Sequence, residues 1–480
     1  MSRSFKWLSA VSRGMIVLVA ACEAPMDGTE EVAVTSSALE AAPNKKGIAE
    51  SIHTSGAIDR TNPFFLVLGT NPRTCETCHA PNQGWTITAK ASKELFQDTD
   101  GLAPLFMLHD AGSRPDADIS TRAARKAAFK KTVMDRALIR FGRTVPAAGE
   151  FTVTEVVDPS GFATPTQVTN FRRPTPTSNE SKVTNILWTS GPHDVPTQVQ
   201  ATAGGAARFH GQRVDAVPVE QTAAMRDFQL GLIFAQSVDN DAGPLDAGGA
   251  TGGPANLLLQ PFHVGINDIQ GGDPSGQPFT RKVFNLFDAW SPNASSHGHH
   301  SGDGCDDDDD DDGYSHESHN HTQAARAAIY RGQELFNYYE FDITGVHGLN
   351  DVLNQTTVRG TCSTCHNVPN VGGHAVFRMF DVGTAFAPNC SPDLPLLTVK
   401  HKVTGETRKT CDMGRGGNGV WADLGAFRAP PLRGLAARAP YFHDGQAQNL
   451  KQVVDYFDDR FNIRLNRHQK KDLRAFLGAL

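Results

Sequence analysis

Apolar residues recur at helical spacing most clearly at the C-terminus. Leu450, Val453, Val454 and Phe457 fall at i, i+3, i+4 and i+7, and Leu473, Phe476, Leu477 and Leu480 repeat the pattern, so two amphipathic helices close the chain. A further helix is expected over 322–336, ahead of a cysteine-containing motif. Strict alternation of apolar and polar positions, the strand signature, is confined to 151–157 (FTVTEVV). The pattern predicts a mainly α fold, and 480 residues leave room for two or three domains of about 150 residues.

Low-complexity stretches divide the chain. Residues 238–260 open with a run of Gly, Ala and Asp, the composition of a linker, and separate an N-terminal domain at 46–237 from a C-terminal domain at 261–480. Within the latter, 293–321 carries six histidines and the seven aspartates of 306–312, which reads as a solvated, disordered insertion. That run accounts for the whole net charge of −7. The neutral remainder gives no electrostatic case for binding nucleic acid.

The first residues read as an export signal. Arg3, Lys6 and Arg13 flank or precede a short apolar core at 15–21, which stops at Cys22. The core is much shorter than the roughly 20 residues of a spanning helix. The sequence Val19-Ala20-Ala21-Cys22 resembles a bacterial lipobox, in which the cysteine is lipidated. The expectation is a signal peptide over 1–21, a flexible tether over 22–45, and an exported protein anchored by lipid at Cys22 on the periplasmic side, at the outer membrane. Membrane contact is then through the lipid alone.

Two motifs carry chemistry. Cys75-Glu-Thr-Cys78-His79 and Cys362-Ser-Thr-Cys365-His366 are both C-x-x-C-H, the attachment signature of c-type haem. Two thiols add to the vinyl groups on one porphyrin edge, and the following imidazole turns under the iron. A zinc site would pair C-x-x-C units over a short spacer, whereas these two lie in opposite halves of the chain. His79 and His366 are therefore expected as the proximal iron ligands, with Cys75, Cys78, Cys362 and Cys365 as attachment points of two haems c. Export agrees, since c-type haem is attached outside the cytoplasm.

With these motifs in hand, the sequence resembles the bacterial di-haem cytochrome c peroxidase family, which includes MauG-type enzymes. The resemblance runs from about residue 46 to 480 and rests on 360–370 (GTCSTCHNVPN), 427–433 (FRAPPLR) and 439–445 (APYFHDG), which resembles the family block APYFHDG. It implies two cytochrome c-type haem domains, with peroxide meeting the N-terminal haem and electrons relayed through the C-terminal one. A small cytochrome c or cupredoxin is the implied donor, and a calcium ion, with Asn179 as a contributor, a candidate further cofactor. In the position of the family's FWDGR block stands Leu187-Trp188-Thr189, which makes Trp188 the bridging candidate. Gln200, with Gln198 as the alternative, is the implied distal glutamine, and His210 stands where the family has a distal glutamate. The resemblance also implies a methionine or tyrosine as sixth ligand of the second haem; Met413 is the candidate, and Met379 the next. His443 carries the match to the family block and is expected to fix a loop. Cys390 and Cys411 are candidates for a disulfide in an oxidising compartment. A MauG-like oxidase and a non-catalytic electron carrier are the alternative functions.

Overall fold

The computed structural model describes residues 40–189, 191, 194–292 and 313–480. The signal segment, Cys22, most of the tether, and 293–312 of the Asp/His-rich insertion lie outside them. Eight α-helices occur among the described residues: α1 Ala89–Thr99, α2 Arg122–Phe129, α3 Val195–Phe209, α4 Val219–Gly231, α5 Gly253–Leu259, α6 Gly313–Tyr338, α7 Leu450–Phe461 and α8 Arg467–Gly478. Side-chain caps start several of them. Thr88 accepts from Ala91 N, Thr121 from Ala124 N, Asp194 from Thr197 N and Asn449 from Gln452 N, while Asn466 and Gln469 form a capping box.

The two C-terminal helices use the faces expected of them. Leu473, Phe476, Leu477 and Leu480 are buried with Val454, and they pack with Ile329 and Phe336 of α6 against Phe284 and Phe287. α6 and α8 approach closely at Gly332, where a Cβ would stand 2.1 Å from the Asp472 carbonyl oxygen. Buried amides on α6 hold the facing loop: Asn337 Oδ1 accepts from Val283 N and Phe284 N, and Gln333 Oε1 from Phe287 N.

Thirteen short strands also occur among the described residues, far more than alternation predicted. They form small antiparallel sheets, several of them joined by distant parts of the chain. Gly47–His53 pairs with Leu232–Asp239, and Ile139–Thr144 with Gln167–Arg172. The expected strand Phe151–Val157 pairs with Leu396–His401, which in turn pairs with Thr407–Thr410. That pairing crosses the boundary that composition placed at 238–260. Segments such as Glu40–Asn44 (EAAPN) have no alternation to read; partners far away in sequence make them strands.

Three expectations are corrected. The segment 238–260 is not an exposed linker: Ala242 and Leu245 are fully buried, Ala250 and Leu257 nearly so, and it carries α5. Its small residues serve close packing, since a Cβ on Gly252 would meet the Leu245 carbonyl oxygen at 2.5 Å. The tether ends before residue 45, because Glu40–Asn44 is hydrogen-bonded to Gly47–His53. The helix expected from 322 begins at Gly313, inside the segment read as disordered.

Cys390 and Cys411 are disulfide-bonded, with Cα atoms 5.7 Å apart and a sequence separation of 21. Replacing both by serine is expected to cost about 2–4 kcal/mol through the freed unfolded chain. Urea unfolding of the two proteins, each with its haem content verified, measures it.

Candidate functional site

Both C-x-x-C-H motifs sit on the same local device. Each is preceded by threonine and has threonine before its second cysteine, and the chain turns in one 3-10 coil, Cys75–Thr77 or Cys362–Thr364. Thr74 N donates to Thr77 Oγ1 at 3.1 Å, and Thr361 N to Thr364 Oγ1 at 3.0 Å. His79 N donates to the Cys75 carbonyl and His366 N to that of Cys362, so each turn brings its two thiols and its imidazole to one cavity wall. None of the four cysteines is disulfide-bonded.

The imidazoles are prepared as ligands. His79 Nδ1 donates to the Trp85 carbonyl at 3.1 Å and His366 Nδ1 to that of Gly372, leaving each Nε2 lone pair for a metal. Trp85, fully buried, is pinned by its Nε1 donating to Ser51 Oγ. Burial lowers His79 to about 4 and lowers His366, so both are neutral. Burial also pushes Cys75, Cys362 and Cys365 up to about 12 and Cys78 to about 11, which suits sulfurs capped by carbon better than metal thiolates.

Two cavities open from these walls. That beside Cys75, Cys78 and His79 is about 370 Å³, with Phe64, Leu68, Phe141 and Ile186 among its lining. That beside Cys362, Cys365 and His366 is about 250 Å³ and more aromatic, with Phe336, Phe341, Phe380 and Phe457. Trp188, Arg173 and Pro174 line both. Trp188 Nε1 donates to the Arg173 carbonyl at 2.9 Å, and its ring packs edge-on against Phe427. The bridging position inferred for Trp188 is thus the place where the two cavities share a wall.

The charges on the cavity walls suit haem. Arg173, Arg428 and Arg438 are buried at their edges, and burial lowers them to about 9, 10 and 10. The Nε atoms of Arg173 and Arg428 have no hydrogen-bond partner. None of the three makes a salt bridge among the described residues, so these buried guanidinium groups call for anions, and haem brings two propionates. Glu180, which sequence reading missed, lines the N-terminal cavity; burial raises it to about 8 although Arg428 opposes this, and its Oε2 is unpartnered.

The distal candidates separate sharply. α3 presents Ala203, Ala206 and Ala207 to the N-terminal cavity, and its C-cap His210 continues that face. Gln200 is turned away: its Nε2 donates to Thr222 Oγ1 at 3.1 Å and its Oε1 accepts from Arg226 Nη1 at 2.8 Å, both on α4. Gln198 is buried against Thr184 and Ile186 and is absent from the cavity wall as well. The reason is helical geometry. Ten residues at about 100° each place Gln200 some 80° from the face of His210. His210 lines the same cavity as His79, and its Nδ1 donates to Asp110 Oδ2 at 2.7 Å.

Met413 does not reach the second cavity. It is 1% exposed in a core with Phe151, Val153, Leu397, Val399 and Trp421, the inner face of the long-range sheet. Met379 lies in a two-residue strand paired with Phe427–Arg428, and it too is missing from the cavity wall. His443 does line that cavity. It is 2% exposed, stacked on Phe427 at 4.1 Å, lowered in pKa by burial, and without a hydrogen-bond partner at either nitrogen. Asn179 is committed elsewhere: its Nδ2 donates to the Phe234 carbonyl and its Oδ1 accepts from Phe234 N, which ties the loop to Leu232–Asp239.

No protein-family model matches the chain. It is similar to the cytochrome c551 peroxidase of Nitrosomonas europaea, at 32% identity over 146 residues, 28% of this chain and 37% of that protein. It is similar to the cytochrome c551 peroxidase of Pseudomonas aeruginosa at 38% identity over 120 residues, 25% of this chain and 30% of that protein. A cytochrome-c peroxidase of Denitromonas iodatirespirans is 28% identical over 140 residues, 25% of this chain and 36% of that protein. The chain thus spans about a third of the length of the curated relatives it matches. These likenesses support the bacterial di-haem cytochrome c peroxidase family as the one this chain resembles.

Proposed function

We propose that this chain is a peroxidase built on two cytochrome c-type haem domains of mainly α structure, reducing hydrogen peroxide to water at the N-terminal haem with electrons relayed through the C-terminal one. The observation that carries the reading is the pair of matching Thr-Cys-x-Thr-Cys-His turns, facing two cavities that share Trp188. The likeness to two cytochrome c551 peroxidases supports it.

Bound haem supplies an iron that exchanges electrons with peroxide; overall, two electrons and two protons convert one peroxide to two waters. The chain's own contributions are more specific. Cys75 and Cys78, and Cys362 and Cys365, fix the two porphyrins by thioether bonds. His79 and His366, each oriented by a backbone carbonyl, would hold the irons through Nε2. Arg173, Arg428 and Arg438 balance propionate charge. Trp188 stands on the electron path between the cavities. His210, on the wall of the N-terminal cavity, would take a proton from bound peroxide and return it to the departing oxygen. The electron donor is a small soluble redox protein, a cytochrome c or cupredoxin.

The test is direct. Purified protein is expected to give two haems per chain by pyridine haemochrome assay and to oxidise a reduced small cytochrome or cupredoxin when peroxide is added. Two haems with no peroxide turnover would reduce the protein to an electron carrier; one haem would remove the relay. Export and lipidation complete the reading. Cys22→Ala is expected to move the protein from the membrane fraction to the soluble periplasm, and unchanged fractionation would refute the anchor.

A further inference from the structure

Asp110 lies in the loop after α1 and is 4% exposed, yet three cationic or imidazole side chains converge on it. Arg73 Nη1 reaches its two oxygens at 2.6 and 2.5 Å, His109 Nε2 stands 3.0 Å from Oδ2, and His210 Nδ1 is 2.7 Å from Oδ2. Arg73, two residues before Cys75, is itself anchored by the carbonyls of Pro104 and Leu105 at 2.7 and 2.9 Å. Burial alone would raise the Asp110 carboxyl, but the hydrogen bonds from His109 and His210 and the Arg73 charge hold it far below the usual carboxylate range. An ionised carboxylate can only accept, so the hydrogen of His210 sits on Nδ1. Among the described residues Nε2 then has no partner, and the ring lines the cavity that His79 also lines.

We propose that Asp110 is the positioning residue of the N-terminal site, holding His210 in the tautomer and orientation that give its Nε2 lone pair to the incoming ligand. The inference rests on the peroxidase reading and deepens it. Proton transfer at this site is then the work of an Asp–His pair anchored through Arg73 to the haem-attachment turn. An asparagine in place of Asp110 keeps the shape but loses the obligatory acceptor, and its amide can donate to Nδ1 instead. That would place the hydrogen on Nε2 and remove the base from the cavity, as in serine proteases whose orienting aspartate is replaced.

The experiment uses the di-haem protein and a probe other than turnover. Hydrogen cyanide must lose its proton as it binds ferric haem, so stopped-flow association reports the distal base. Asp110→Asn is expected to slow this association about 100-fold with two haems retained, and His210→Ala to slow it comparably. The double variant is expected to be no slower than His210→Ala, because Asp110 acts only through His210. Added imidazole is expected to rescue His210→Ala when Asp110 is present, and to fail when the Asp110→Asn substitution accompanies it. Wild-type association in Asp110→Asn, or additive losses in the double variant, would overturn the proposal. If Asp110→Asn does not hold two haems, Asp110→Glu takes its place: it keeps the charge facing Arg73 but displaces the carboxylate by a methylene, and an unchanged rate there is equally fatal. A wild-type iron that turns from low-spin to high-spin in His210→Ala would make His210 a ligand and overturn the base assignment. Asp110-dependent cyanide binding without any peroxide turnover would refute the peroxidase reading while leaving the Asp110 role intact.

Discussion

Replacing Cys362 and Cys365 together by alanine is expected to lower covalent haem from two to one per chain and to abolish electron supply to peroxide. Both thiols face the C-terminal cavity, and no other unbridged cysteine among the described residues stands near it. The turn itself should survive, since it is held by Thr361, Thr364 and the His366 contact to Gly372, none of which uses sulfur. The cavity would not go unnoticed. Leaving about 250 Å³ of aromatic and aliphatic wall without its occupant costs several kcal/mol at roughly 24 cal/mol per Å³. The variant is therefore expected to unfold at lower urea, as well as to show half the pyridine haemochrome absorbance per mass of protein. Two covalent haems in this variant would exclude the second attachment site. Full peroxide turnover with one haem would exclude the relay.

His210→Ala is expected to cut peroxide turnover by about 10²–10⁴-fold, the usual range for a general acid–base group, with haem content unchanged at two. The loss should fall mainly on the steps with peroxide, leaving oxidation of the reduced donor by a chemical oxidant as it was. His210 is the one distal candidate that both faces the N-terminal cavity and has a carboxylate orienting it. Gln200 provides the control. Its amide bridges α3 to Thr222 and Arg226 on α4, so Gln200→Ala should perturb helix packing modestly and leave peroxide turnover near wild type. A large loss in Gln200→Ala together with a small one in His210→Ala would reverse the assignment.

On the proposed reading, a haem in the C-terminal cavity would draw any second protein ligand from the side chains on that wall. With Met413 in the core of the long-range sheet and Met379 off the wall, the side chain there with free imidazole nitrogens is His443, which faces the cavity beside Trp188. The motif match that makes His443 a loop residue says nothing of its burial. Its stacking on Phe427 and its missing partners emerge only when strand Phe427–Arg428 and the loop around Asp444 are brought together.

Local order alone determined what short-range chemistry can specify. The C-x-x-C-H spacing with its flanking threonines dictates one turn of chain, and that turn sets two thiols and an imidazole at one wall whatever surrounds it. The C-terminal helices were legible for the same reason, since period and caps are local properties. Motif position singles out Trp188, while its place on the wall of both cavities is a matter of the fold. Contacts between distant segments decided the rest. Asp110 is a hundred residues from His210, and nothing near either marks them as partners; the fold joins them by placing the end of α3 beside the loop after α1. Gln200 matches the distal glutamine by resemblance alone, but a helix rotates each residue by about 100°, and only the helix phase tells which of them meets the cavity. Met413 has the right chemistry and lies near in sequence, yet its burial among Phe151, Val153 and Trp421 depends on a strand pairing that spans more than two hundred residues. The Gly- and Ala-rich segment at 238–260 shows the same limit: small residues suit a linker and a tight core equally, and the neighbours that the fold supplies choose between them.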